Sequence, residues 1–296
     1  MAFSQFSDHK KGLVLTTIGG LALSVDIPLL RLGAGEMWSV LGVRSLTTLA
    51  VALLLWLGIR LLTASRPPLM PGVAALWTAL IYGLSSILFI VAVFFTTTAN
   101  VVFIVAFNPM FAALLSWIFL KERPQISTLV TMGAMVVGVG VIVQGGISGG
   151  HLFGDMMAVL SALALAAALT VSRATRLDMG FVPLVATIIP ALIGLCIALP
   201  QGVSIAHPFW VLFDGAVMIP LAFWCLATGP RYLSAPEVAM FYLLETILAP
   251  LWVWMIFAEV PGAHTLVGGS ILVLALVGYS LWQHRMKTRL AVSAHQ

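Results

Sequence analysis

The sequence predicts an all-α polytopic membrane protein of ten transmembrane helices, arranged as two inverted five-helix repeats with both termini cytoplasmic. Three observations lead there. The 296 residues are 61% hydrophobic and 8% charged, with a mean hydropathy of +1.11, against about 25% charged residues in a soluble domain. The apolar residues fall into runs near the ~20 residues that cross a bilayer. The chain also repeats itself.

The repeat is clearest at residues 99–143, an apolar run interrupted by Asn108-Pro109 and followed by Lys121-Glu122-Arg123-Pro124 and a second apolar run. A shift of 137 positions lays this stretch without a gap on 236–280, so that Trp117 meets Trp254, Glu122 meets Glu259, Thr128 meets Thr265 and Asn108 meets Glu245. A shift of 142 places Leu21-Ala22-Leu23 on Leu163-Ala164-Leu165, Arg31 on Arg173 and Met37 on Met179. The registration of Trp, Glu and Arg carries more weight than matches among Leu, Val, Ala and Gly. Internal self-similarity of this kind belongs to secondary transporters, whose halves meet at a substrate site near the bilayer midplane.

Apolar runs broken by charges, Gly and Pro predict spans at 12–30, 38–58, 72–95, 99–119, 126–144, 153–172, 181–200, 208–227, 236–257 and 263–283. Lys10-Lys11 before the first run resembles a signal peptide, but the run is long for one and Arg31 interrupts the expected cleavage site, so a retained first span is expected. The domains follow: a cytoplasmic tail at 1–11, the first repeat at 12–147, the second at 148–284 and a cytoplasmic tail at 285–296.

Orientation comes from the fourteen Lys and Arg residues. With the N-terminus inside, one face collects Lys10, Lys11, Arg60, Arg66, Lys121, Arg123, Arg173, Arg176, Arg231, Arg285, Lys287 and Arg289, while the other has Arg31 and the second span holds Arg44. This is the asymmetry that sets topology. Five spans per repeat is odd, so the second repeat runs upside down relative to the first. The net charge of +4 does not imply nucleic acid, because the bases are scattered at span ends rather than clustered on one face. Cys196 and Cys225 sit in separate runs with no metal or redox spacing and are expected to be buried bystanders.

The run NPMFAALLSWIFLKERP, with its partner APLWVWMIFAEVPG and the Gly-rich span after it, resembles the EamA type of the drug/metabolite transporter superfamily. The resemblance covers nearly the whole chain through its two repeats. Within that superfamily the sequence is most similar to the bacterial aromatic amino-acid exporters, which implies amino-acid efflux across the bacterial inner membrane. The second copy departs from the pattern: Glu245 replaces Asn108, and Ala258-Glu259-Val260 carries one charge where Lys121-Glu122-Arg123 carries three. That loss of base fits a loop facing outside.

Ionisable residues in hydrocarbon are costly, so each is a functional hypothesis. Asp26 stands about 8 Å deep in span one and Arg44 about 10 Å deep in span two, counted at 1.5 Å per residue from the outer side. Two readings stay open for this pair, a structural salt bridge and a part of an outer gate. Asp214 is read as structural, shallow enough for its carboxylate to meet interfacial water. Glu122 and Glu259 are read as loop partners of nearby bases or helix ends.

Pro109, Pro190, Pro220 and Pro250 lie within spans, where each removes a backbone donor and frees a carbonyl, either as a packing kink or beside a watery cavity. Ala134, Gly138, Ala275 and Gly278 are expected to let the fifth and tenth spans pack closely. Helical spacing puts Asn100, Ile104, Phe107, Asn108 and Phe111 on one face of span four, and Phe241, Tyr242, Glu245, Leu248 and Trp252 on one face of span nine. Tyr82, Ser85, Ser86 and Phe89 of span three add hydroxyls and aromatic surface at the same level.

The expected substrate site is therefore Tyr82, Asn108, Tyr242, Glu245 and Trp252. Asn108 and Glu245 are each nine positions into their spans, about 14 Å from opposite surfaces, where an inverted-repeat axis brings both halves to one ligand. No base of similar depth faces Glu245, and burial favours its protonated form. Such a carboxyl binds a substrate's ammonium group when ionised and carries a proton when empty, which makes a proton the candidate coupling ion. The alternative is that it stays protonated and only hydrogen-bonds a neighbouring helix.

No GxxxxGK[ST], HExxH or GxSxG run is present. His9, His151, His207, His264, His284 and His295 fall at span ends or tails, so no enzyme activity, cofactor or metal is expected. The partners are a small-molecule substrate, an amino acid, and the lipid bilayer. The leading reading is a secondary exporter of small metabolites, amino acids including aromatic ones, by alternating access. The alternatives are export of another small solute such as a drug-like cation or a nucleoside, a channel, or an intramembrane enzyme.

Overall fold

The structure, a computed structural model, describes residues 8–63, 67–175, 177, 179–228, 232 and 235–293, excluding the side chains of 8–9, 148, 227–228, 235–240, 242–243 and 283–293. Arg66, Arg176, Arg231 and the side chains of Tyr242, Arg285, Lys287 and Arg289 thus lie outside the described residues.

Helices account for the described regular structure, and the extended pairing consists of an isolated bridge between Gly35 and Ile205. The helices group into ten consecutive segments. The first is α1 (Asp8–Ser24) with α2 (Asp26–Leu32), the second α3 (Met37–Leu62), the third α4 (Gly72–Phe95) and the fourth α5 (Thr98–Val105) with α6 (Asn108–Leu120). The fifth is α7 (Ile126–Gly149), the sixth α8 (Leu152–Thr175), and the seventh α9 (Val182–Val185) with α10 (Ile188–Gln201). The eighth joins α11 (Pro208–Phe213) to α12 (Ile219–Thr228) through a π-turn at Asp214–Met218, the ninth is α13 (Ala235–Phe257) and the tenth α14 (Ala263–Ser293).

Among the described residues, nine of these segments are long and apolar enough to cross a membrane, and their ends fall within four residues of those expected. The ninth is a single helix of 23 residues whose described apolar run is Leu244–Phe257. The last helix runs past 283, the expected end of the tenth span. It continues to Ser293 because the polar stretch after Trp282 contains neither Gly nor Pro to end it.

The distribution of side chains is that of a protein solvated by lipid. Leu54, Leu62, Val73, Trp77, Phe119, Val130, Met255 and Leu274 are exposed, while Asp26, Arg44, Asp155 and Asp214 are buried. Water would penalise so large an apolar surface; hydrocarbon does not. Cys225 is buried as expected, whereas Cys196 faces outward from α10.

The packing respects the repeat. The third segment packs on the sixth and the eighth on the first; the fourth packs on the sixth and the ninth on the first; the second packs on the seventh and the fifth on the tenth. Exchanging each segment with the one five places away leaves this set unchanged. The same holds for a backbone detail. The fourth segment ends at Lys121 in the left-handed conformation, φ 56°, and the ninth ends at Ala258 with φ 54°. These residues are 137 positions apart. A non-glycine residue costs about 1–2 kcal/mol there, so the shared ending is a constraint of the fold and not a free choice of the chain.

The two self-paired crossings are built on glycine. A Cβ at Gly194 would sit 2.5 Å from the backbone nitrogen of Gly42, and one at Gly138 would sit 2.9 Å from the carbonyl of Gly268. Gly278, expected to serve the fifth–tenth contact, meets nothing within 4 Å. Gly194→Val should therefore destabilise the purified protein by about 1–3 kcal/mol or more through overpacking. Gly133→Ala, where a Cβ meets nothing within 4 Å, should be neutral or stabilising by up to ~1 kcal/mol. Thermal unfolding in detergent compares them, and equal melting temperatures for the two variants would remove the crossing from the account.

Two of the prolines are less disruptive than the sequence suggests. Pro109 occupies the first turn of α6 and Pro190 the first turn of α10, where the missing N–H has no helical partner to lose. Pro220 follows the π-turn within an unbroken helical run, so it does remove a helical bond. Pro250 lies inside α13 and does remove a helical bond.

Candidate functional site

A buried ionic cluster joins the first, second and eighth segments. Arg44 Nη2 donates to Asp26 Oδ1 at 2.7 Å and Arg44 Nε donates to Asp214 Oδ2 at 2.7 Å. The sequence places Asp214 near interfacial water; the structure instead buries it completely. The π-turn explains why. It starts at Asp214, and a Cβ on Gly215 would lie 2.6 Å from the Arg44 carbonyl, so only glycine lets α3 approach this closely. The Gly215 carbonyl, displaced from regular α geometry, accepts from Thr48 Oγ1 at 2.9 Å. One guanidinium thus serves two carboxylates. Asp214 Oδ1 has no hydrogen-bond partner among the described residues.

Glu245 lies on α13, partly buried, and α13 packs on both α1 and α2, the helix that Asp26 begins. No hydrogen bond reaches its carboxyl from the described residues. Trp252, seven residues on, donates from Nε1 to Ser24 Oγ at 3.2 Å, tying α13 to the end of α1. Closer to Glu245, a Cβ on Gly20 of α1 would stand 2.6 Å from the Phe241 carbonyl, which brings the two helices into backbone contact.

Asn108 is buried at the first position of α6, immediately after the break in the fourth segment at Ala106-Phe107. Helix α13 packs on α5, the half that leads to this break. Tyr82 is elsewhere in the bundle, packed with Ala75, Ala79, Met179, Val182 and Ala186. The structure therefore gathers Glu245 and Trp252 against the first segment, which holds Asp26, and sets Tyr82 with the start of the seventh. The side chain of Tyr242 lies outside the described residues. Ser85, read as part of the same lining, is used for helix packing: it donates to the Ser161 carbonyl at 3.0 Å, and Ser161 Oγ donates back to the Ser85 carbonyl at 2.9 Å.

Sequence reasoning missed Asp155. Its Oδ1 accepts from Thr96 Oγ1 at 2.6 Å and from Asn100 Nδ2 at 2.9 Å, while Asn100 Oδ1 accepts from Thr265 Oγ1 at 2.6 Å. Four segments meet in this network. Asp155 Oδ2 abuts Gly146 and has no hydrogen-bond partner among the described residues.

Beside this network, at the end of the bundle that carries Arg31, a cleft of about 280 Å³ is lined by Arg31, Phe94, Phe95, Thr96, Thr97, His151 and Glu259. Arg31 pairs with Glu259, Glu259 Oε1 accepts from the Thr98 backbone N–H at 3.2 Å, and Arg31 Nη2 donates to the Thr96 carbonyl at 3.4 Å. At the opposite end of the bundle, Arg173 pairs with Glu122 at 2.9 Å. Both glutamates thus partner bases.

Residues 10–144 match the EamA-like transporter family. The match falls on the first half of the chain and supports the EamA type of the drug/metabolite transporter superfamily. The match covers somewhat less than half of the chain, and the apolar helices agree with a multi-pass membrane protein. No curated protein matches the chain. Among solved structures, a crystal structure described only as that of a protein has a TM-score of 0.62 at 15% identity, covering 94% of this chain and 99% of that one, so the two share a fold.

Proposed function

We propose that this protein is a secondary carrier that exports small zwitterionic metabolites, amino acids including aromatic ones, from a bacterial cytoplasm. It alternates access between two inverted repeats, 12–147 and 148–284, each crossing the inner membrane five times with both termini inside. The observation that carries this reading is the pairing of segments, which is unchanged when each is exchanged with the one five places away. Two half-structures related in that way can rock against each other to exchange which end is open. The EamA-like match over residues 10–144 supports the transporter class.

The substrate site in this proposal is centred on Glu245, with Trp252, Tyr242 and Asn108 contributing aromatic and amide groups, and Tyr82, packed at the start of the seventh segment, is left out of it. Glu245 lies in α13 away from either end, on the segment that touches both the first segment and α5. A carboxyl lacking a hydrogen-bond partner among the described residues is available to an ammonium group. Aromatic side chains suit the apolar part of such a ligand. Asp26, Arg44 and Asp214 hold the first, second and eighth segments together behind it.

The test is counterflow. Purified protein in liposomes preloaded with unlabelled phenylalanine, tyrosine or tryptophan should accumulate the labelled amino acid transiently, with and without a pH gradient. Nucleosides and choline-like cations serve as competing candidates in the same assay. Accumulation of one of those in place of every amino acid would replace the substrate class, and conductance without counterflow would make the protein a channel.

A further inference from the structure

The repeat offsets relate the two ion pairs at the ends of the bundle. The shift of 142 carries Arg31 to Arg173 and the shift of 137 carries Glu122 to Glu259. The contact between Arg31 and Glu259, from the first segment to the ninth, thus becomes under repeat exchange the contact between Arg173 and Glu122, from the sixth to the fourth. Both are present, and they lie at opposite ends: Thr98, which donates to Glu259, begins the fourth segment, and Glu122 follows its last residue. The 23 residues from Thr98 to Leu120 separate them by roughly 35 Å at 1.5 Å per residue.

The two pairs are not in the same condition. Side-chain exposure is 24% for Arg31 and 25% for Glu259, but 66% for Arg173 and 47% for Glu122. The first pair is also reinforced, since Glu259 accepts from the Thr98 N–H and Arg31 donates to the Thr96 carbonyl. It draws together the ends of the first, third and ninth segments and the start of the fourth. Partial burial and bonds to backbone strengthen a charge pair, whereas an exposed pair without them adds little.

We infer that Arg31–Glu259 and Arg173–Glu122 are repeat-related latches. The first holds its end of the bundle shut in this conformation, and the second tightens when the opposite end closes. The inference rests on the alternating-access reading but not on the identity of the solute. Each latch stabilises one of two states, so breaking one favours the state in which the other is made.

The experiment uses the full chain in nanodiscs with Cys196 and Cys225 replaced by alanine, and Ala99→Cys as reporter. Ala99 is 3% exposed and directly follows Thr98, behind the first latch. In the parent, a charged methanethiosulfonate should modify this cysteine slowly. Glu259→Gln should speed the reaction at least fivefold, and Glu122→Gln should slow it at least twofold, because the first latch then has no competitor. Arg31→Gln breaks the same latch without touching the Thr98 bond, should match Glu259→Gln, and decides the matter if Glu259→Gln fails to fold. Unchanged labelling in the first-latch variants, or a change of the same sign in Glu122→Gln, would overturn the inference. Labelling requires no transported solute, so the counterflow experiment can fail while this one succeeds.

Discussion

Arg44→Met is expected to cost this protein about 3–5 kcal/mol, the penalty for breaking a buried ion pair from one side. The guanidinium is the shared partner of Asp26 and Asp214, which are 4% and 0% exposed. Without it, two carboxyls stand together in low dielectric, and each must take up a proton or repel the other. The polar network around them loses its donors as well: Asp214 Oδ2 would join Oδ1 as an unsatisfied buried atom. Removing all three charges at once, as Asp26→Leu, Arg44→Met and Asp214→Leu, should recover most of the loss. Apolar replacement of a buried ionic group is often neutral or stabilising, and these segments already sit in an apolar medium. Reversible unfolding in mixed micelles measures both variants. A single substitution as stable as the parent, or a triple one no better than the single, would show that the cluster does not carry this energy.

The cluster also marks where sequence reasoning stops. Pairing Asp26 with Arg44 needs only depth along two adjacent helices, and depth is a count of residues. Asp214 needs more, because its carboxylate reaches Arg44 through a π-turn and through the absence of a side chain on Gly215. A π-turn has no reliable signature in composition, and Gly215 reads as one glycine among 26. Asp155 was missed for a different reason. An acidic residue in the first turn of a helix is ordinarily a surface partner of the helix dipole, and only Thr96 and Asn100, distant in sequence, reveal that this one is buried.

The segments themselves were legible because hydrocarbon thickness imposes a length and removes charges, two properties written directly in the chain. The breaks within them were less so. Pro109 suggests a kinked helix, yet the fourth segment ends one helix at Val105 and begins another at Asn108, with Pro109 in its opening turn. The candidate site is affected in the same way. Spacing put Tyr82 at the level of Glu245, but level is not azimuth, and Tyr82 turns toward Met179 and Val182. The repeat offsets are more informative, because they align Arg31 with Arg173 and Glu122 with Glu259, the residues that form the two ion pairs.

The carboxyl of Glu245 is where the transport reading is most exposed to test. It lies ten residues after Ala235 in a 23-residue helix, about 15 Å from that end at 1.5 Å per residue, so it is near the middle of the segment. Gln has the same size and keeps an oxygen acceptor, so Glu245→Gln should leave packing against α1 intact, along with the Trp252 to Ser24 bond. What it removes is the ability to bear a negative charge or to exchange a proton. If this carboxyl receives the substrate's ammonium group, counterflow of the best amino acid should fall at least tenfold, equivalent to about 1.4 kcal/mol in the barrier. The melting temperature should stay at the parent value. Asn108→Ala, which removes an amide near the break in the fourth segment, should reduce counterflow less, since a neutral hydrogen bond is worth less than one to a charged group. Parent-rate counterflow by Glu245→Gln, in protein of unchanged stability, would assign this carboxyl to helix packing and take it out of the site.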